Sequence, residues 1–309
     1  MRTKRIRSIA LVAALALPAA MLSACGSSDD SGSDGGKASG GDKSDEIVIA
    51  GIGGWWEGEA VGKLYQYVLE ENGYTNVSFK TLDAGPTYQG VADGDVDLFF
   101  DSWLPATHAD YWKQFKDDVV DINVWYDKAP LTIAVPSYMD IDSIEDLPKI
   151  GDKVDWTITG IDSGAGLYRT VNDKVIPEYG LDKYSQPASS GTAMLSALGK
   201  AIDNKQPIVV TLWKPHFAYG KWDLKDLKDP KNALGDPDEI HVIGSKDLKE
   251  ENSAVIDSLS DWTMSDKKLS SLGAFLQKDK YKNDQDAGVA DWAKQNPDVV
   301  KSMSSKLPD

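Results

Sequence analysis

Apolar and polar positions fall in blocks along the chain, and the period of each block predicts an element. Ile47-Val48-Ile49-Ala50-Gly51-Ile52 is an unbroken apolar run of strand length. Ala60 to Glu71 switches to helical spacing, with Val61, Leu64, Tyr65, Val68 and Leu69 on one side and Asn72-Gly73 as its stop. Val77 to Leu82 predicts a second strand, Val96 to Phe100 a third, and Leu131 to Val135 a fourth closed by Pro136. The middle repeats this logic. Trp156 to Ile161 predicts a strand, and Gly166 to Tyr179 a helix ended by Gly180. Ser190 caps a helix from Gly191 to Asp203, and Gln206 to Leu212 predicts a strand. One more strand, Ile240 to Ile243, precedes a mostly helical end. Strands interleaved with helices predict an α/β fold with largely parallel sheets.

The first residues follow a different rule. Arg2, Lys4, Arg5 and Arg7 form a basic segment, and Ile9 to Leu22 is apolar but short for a membrane span. Residues 1–24 therefore read as a signal peptide. Leu22-Ser23-Ala24-Cys25-Gly26 resembles a bacterial lipobox, whose cysteine is lipidated and becomes the first mature residue. Cys25 is the only cysteine, so no internal disulfide is possible. Residues 25–45 hold Gly, Ser, Asp and Lys without a large apolar side chain after the cysteine, which predicts a disordered tether. The expectation is an extracytoplasmic body, lipid-anchored to the cell membrane.

Charge narrows the partners. Loss of the four basic residues of the signal takes the formal charge from −16 to −20. Such acidity argues against nucleic acid and against docking on anionic lipid head groups. Arg169 is the only arginine beyond the signal, so a polyanionic substrate would lack the usual guanidinium forks.

The unusual residues gather at strand ends. Gly53-Gly54-Trp55-Trp56 follows the first strand, and Trp103 follows the third. Trp213, in Thr211-Leu212-Trp213-Lys214-Pro215-His216, follows the strand from Gln206. Gly164-Ala165-Gly166 follows the Trp156 run and opens a helix. In open α/β sheets, ligands bind beyond the carboxyl ends of the strands. A glycine-lined helix start offers free N–H groups to a carboxylate. Indole faces suit a quaternary ammonium, which has no N–H to donate. A betaine carries both groups. Core packing of each tryptophan is the competing explanation. Thr107 is positioned to cap the next helix, His108 to turn back toward the ligand, and Tyr111 and Trp112 to pack that helix.

These motifs resemble the glycine betaine and related quaternary-amine substrate-binding proteins of ABC importers. The likeness runs from about Ile47 to Trp262. It includes Trp-x-Glu at Trp55 and Asp95-Val96-Asp97 leading to Trp103-Leu104-Pro105-Ala106-Thr107-His108. Val135-Pro136-Ser137-Tyr138-Met139 and Gly160-Ile161-Asp162-Ser163-Gly164-Ala165-Gly166 follow. Trp213-Lys214-Pro215-His216-Phe217 and Leu224-Lys225-Asp226-Leu227-Lys228-Asp229-Pro230 complete the series. The resemblance implies a two-lobed periplasmic-binding-protein-like α/β fold of type II, hinged, with its ligand in the cleft. Lobe 1 is expected over 46–135 plus 240–309, and lobe 2 over 136–239. The ligand would be glycine betaine, proline betaine or carnitine, with choline as the alternative. Trp55, Trp103 and Trp213 would wall the ammonium, and Gly166, Leu167 and His108 would donate to the carboxylate. Trp56, Glu57 and His216 are further candidates, since Trp56 adjoins Trp55, Glu57 can approach a cation and His216 lies near the cleft. Some choline-binding relatives add an aromatic or asparagine where this chain has Ala129-Pro130-Leu131 and Ser163-Gly164-Ala165, which favours a carboxylate ligand. The expected partners are a permease and its ATPase, and the expected state is a monomer.

An exported enzyme is the main rival. The three histidines, His108, His216 and His241, form no zinc helix, and no serine sits in a nucleophile elbow. Asp93, Asp95 and Asp97 hint at a calcium loop, but Leu98 and Leu104 stand where it needs Gly and Glu. No metal, cofactor or catalytic residue is expected.

Overall fold

The structure, a computed structural model, describes residues 41–309. The expected signal peptide, Cys25 and most of the tether lie outside the described residues. The last part of the expected tether already joins the body: Thr75 N–H donates to the Lys43 carbonyl at 2.9 Å, and Lys43 Nζ donates to the Pro308 carbonyl at 2.9 Å.

The chain opens with β1 (Ile47–Ile52), α1 (Trp56–Glu71), β2 (Val77–Leu82), α2 (Ala84–Asp93), β3 (Leu98–Leu104), α3 (Ala109–Phe115) and β4 (Val119–Ala129). It continues with β5 (Leu131–Pro136), α4 (Gly166–Thr170), a π turn (Val171–Val175), α5 (Ile176–Glu178), α6 (Gly191–Asp203), β6 (Val210–Trp213), α7 (Ala218–Lys221) and β7 (Leu224–Asp226). It ends with β8 (Asp238–Ser245), α8 (Lys246–Glu251), α9 (Ser253–Leu259), α10 (Asp266–Leu276), α11 (Gln285–Gln295) and α12 (Pro297–Ser304). Among the described residues, a five-stranded sheet runs β2-β1-β3-β8-β4 and a three-stranded sheet runs β6-β5-β7.

Pairing direction departs from the expectation of largely parallel sheets. β1 runs parallel to β2 and β3, but β8 is antiparallel to both its neighbours, and β5 is antiparallel to β6 and β7. The reason is that β4 and β8 are the strands by which the chain leaves and re-enters the first sheet. β5 pairs only within the second sheet, so Leu131–Val135, expected in lobe 1, forms its ladder with β6 and β7.

The Trp156–Ile161 run forms single bridges, Thr157 with Ser185 and Thr159 with Val210, rather than a strand. Asp155 and Trp156 sit at φ 51° and 50°, which breaks the extended path at its start. α2, β4, α7 and β7 had no predicted counterpart. α2 contains Gly85, Pro86 and Gly90, poor interior helix residues, and β4 carries register shifts that spoil its alternation.

α1 starts at Trp56, earlier than its spacing predicts, and buries Val61, Leu64, Tyr65, Val68 and Leu69 completely. The C-terminal helices are tied to the larger sheet through Trp125, which is fully buried, stacks on Trp262 at 6.0 Å and donates its indole N–H to the Phe100 carbonyl at 2.7 Å. Trp125→Ala is expected to cost roughly 3–5 kcal/mol of stability, read as a lower urea midpoint at unchanged slope.

Candidate functional site

β1 ends in a glycine turn with Gly54 at φ 89°, and Trp55 stands at the N-cap of α1. Consecutive residues at a helix start point about 100° apart. Trp55 and Trp56 accordingly part company. Trp55 faces a cavity, whereas Trp56 packs edge-on against Phe217 at 5.8 Å and donates its indole N–H to the Pro215 carbonyl at 3.1 Å.

Trp103 is held at the end of β3 by a reciprocal clasp. Its N–H donates to His108 Nδ1 at 2.9 Å, and the His108 N–H donates to the Trp103 carbonyl at 2.9 Å. The Trp103 indole N–H donates to Asp101 Oδ1 at 2.7 Å. Thr107 does not cap α3; His108 is its N-cap. Instead, the N–H groups of Ala106 and Thr107 donate to the two Asp238 oxygens, each at 2.8 Å, which pins the turn to β8.

From the second lobe come Trp213, at the end of β6, and the start of α4 at Gly166 and Leu167, whose first-turn N–H groups have no intrahelical acceptor. Trp55, Trp103, Trp213, Glu57, Thr107, His108, Gly166 and Leu167 all border one cavity. Trp56 and His216 do not. His216 sits behind the cavity, its ring edge-on to Trp213 at 4.7 Å.

The two lobes meet closely around this space. Trp55 donates its indole N–H to Asp162 Oδ2 at 3.2 Å, and Tyr111 donates its hydroxyl to the Gly164 carbonyl at 2.8 Å. Tyr111 thus does more than pack its helix, although it also stacks on Tyr88 at 4.7 Å. Arg169 pairs with Asp110 at 3.4 Å. A Cβ on Gly166 would stand 1.9 Å from the Thr107 carbonyl oxygen, so bare backbone is required there.

Electrostatics divide the lining. Burial, and then the Arg169 charge, push His108 down to about 3, so the ring is neutral. With Nδ1 accepting from Trp103, its proton sits on Nε2. His216 is held at about 3 by burial, and its Nδ1 accepts the Ala218 N–H at 3.0 Å. Burial, and then the Asp101 charge, push Glu57 well above the ordinary carboxyl range. Asp101 rises to about 8 through burial, partly offset by the Trp103 indole N–H. Among the described residues, no group of His, Cys, Asp or Glu could hold a metal ion, and no helix is long and apolar enough to cross a membrane.

The family model for the substrate-binding domain of ABC-type glycine betaine transport systems matches residues 45–295. The chain belongs to this family. One curated relative of this binding domain, the glycine betaine/carnitine transport binding protein GbuC of Listeria monocytogenes, is 38% identical over 155 residues. That match covers 49% of this chain and 50% of the relative, so the chain spans half the length of that protein. The Borrelia burgdorferi glycine/betaine/L-proline-binding protein ProX superposes with a TM-score of 0.77 at 27% identity, covering 86% of this chain and 97% of that one. Lactococcal OpuAC, closed and complexed with glycine betaine, gives 0.76 at 29% identity, covering 85% and 100%. The α/β binding domain therefore has the two-lobed binding-protein fold, and its family is one of transport components rather than enzymes.

Sequence reasoning passed over Asp101, Asp162 and Asp238 as site-builders. Asp101 had a local signal, its position two residues before Trp103; Asp238 had none, being far along the chain.

The unfolded chain takes up two histidine protons near pH 6.5, whereas the folded rings resist until about 3. His108 and His216 therefore withdraw stability as the pH falls through that window. Imidazole ¹⁵N spectra are expected to show both rings as the neutral Nε2–H form, without titration between about pH 8 and 5.

Proposed function

We propose that this chain is the extracytoplasmic binding component of an ABC importer and captures glycine betaine, or a close relative such as proline betaine or carnitine, for osmoprotectant uptake. One observation carries the reading: indoles from both lobes, Trp55 and Trp103 from one and Trp213 from the other, border a single cavity that also receives His108 and the start of α4. The rings take the methylated ammonium by cation–π attraction and dispersion. His108 Nε2–H and the Gly166 and Leu167 amides take the carboxylate. The lipid at Cys25 holds a monomer beside its permease and ATPase, and ligand-driven closure presents the loaded form.

The magnitudes require both ends. Micromolar capture needs about 8 kcal/mol. Three desolvated ring faces, at about 1–2 kcal/mol each, supply roughly half. Charge-assisted hydrogen bonds at about 1.5–3 kcal/mol each cover the remainder. Choline is the second reading, favoured by Glu57, whose carboxyl borders the cavity with Oε2 unpartnered.

Titration calorimetry with glycine betaine tests the proposal. Trp103→Ala and Trp213→Ala are each expected to weaken binding at least about tenfold, the loss of one desolvated ring face. Trp56→Phe, off the cavity, is expected to change it far less. Unaltered affinity in both alanine variants would sink the cage. Gly166→Ala is expected to block closure: small-angle scattering with saturating glycine betaine should show the unsubstituted protein contracting and the variant not.

A further inference from the structure

Glu57 and Asp101 are 1% and 0% exposed, and each keeps one oxygen, Oε2 and Oδ2, without a partner. Both lie at the first turn of α1, where the Asp101 charge acts on Glu57. A Cβ on Gly58 would lie 2.4 Å from Asp101 Cβ and 2.7 Å from its Oδ2, so the free Asp101 oxygen presses on the residue next to Glu57. No cation compensates either group among the described residues. Glu59 of α1, Tyr88 of α2, Tyr126 of β4 and neutral His108 surround the pair and add no positive charge. The Trp213 indole N–H approaches Glu57 from the other lobe. The nearby cations act elsewhere, Lys63 on Glu59 and Arg169 on Tyr88 and His108.

Two adjacent buried carboxyls without a counter-ion cannot both ionise. Resting on the cage reading above, we propose that Asp101 and Glu57 form a proton-exchanging pair that sets how the cavity treats a net cation against a zwitterion. In the closed protein at mildly acidic pH the pair holds both protons. When a quaternary ammonium without a carboxylate enters, one O–H bond of the pair breaks and the proton leaves to solvent. The electron pair stays on the carboxyl oxygens, now facing the ammonium, and the remaining proton is shared. A betaine brings its own negative charge, which His108 and α4 satisfy, so the pair keeps its protons. Burial pushes both carboxyls in the direction this exchange requires. Asp101 acts through Glu57, as a positioning residue for selectivity.

Calorimetry of the purified protein with choline and with glycine betaine, at pH 6 in two buffers of different ionisation enthalpy, counts the protons. Choline is expected to release about one proton, and its affinity to rise about tenfold per pH unit until the pair ionises unaided. Glycine betaine is expected to release far less and to show a flat profile. Glu57→Gln should abolish the choline slope. Asp101→Asn keeps the acceptor for the Trp103 indole and places an amide where the free oxygen stands, so the choline rise should move to lower pH. A purely structural Asp101 would instead weaken both ligands alike and leave the profile in place. Choline binding without proton release, or no choline binding at any pH, overturns the exchange even if betaine is captured. Failure of betaine to bind counts separately, against the cage.

Discussion

The cavity depends on bare backbone meeting bare backbone across two lobes. Gly166 lies against the Thr107 carbonyl, and Gly54 lies against Gly191 at the start of α6. A side chain at Gly54, Gly166 or Gly191 would press on the backbone opposite and hold the lobes apart. The indoles could then not surround one space, because Trp213 comes from one sheet and Trp55 and Trp103 from the other. Beside the edge-on packing of Trp56 on Phe217, the contacts across the lobes include polar ones: Trp55 to Asp162, Trp56 to Pro215, Tyr111 to Gly164 and Arg169 to Asp110. The polar ones re-form readily with water, which suits the opening and closing proposed above.

Carboxylates organise the aromatic walls. Trp103 is anchored on Asp101 and Trp55 on Asp162, each through the indole N–H. An indole fixed by its edge keeps its face free.

Much of this was legible in the chain. The unbroken apolar run of β1, the helical spacing of α1, and the Ser190 cap of α6 each correspond to one element. The strand-end tryptophans were also legible, because position at a strand end is a local property. What was not legible depends on distant partners. The choice between Trp55 and Trp56 turns on where α1 begins. Leu131–Val135 reads as a strand whichever sheet it joins, and only its pairing with β6 and β7 assigns it. Asp238 secures the Thr107 turn from a strand that arrives late in the chain. The orphaned oxygens of Glu57 and Asp101 are visible only once α1 and β3 are packed together.

The position of β8 has a consequence for the order of assembly. It is the sole partner of β4 in the larger sheet, and it lies between β4 and β3. Until residues 238–245 have emerged, β4 has no neighbour to join. The smaller sheet, drawn from one uninterrupted stretch, faces no such wait. As the chain emerges, the second lobe can settle while the first still lacks its last strand, and the cavity between them is among the last features to exist.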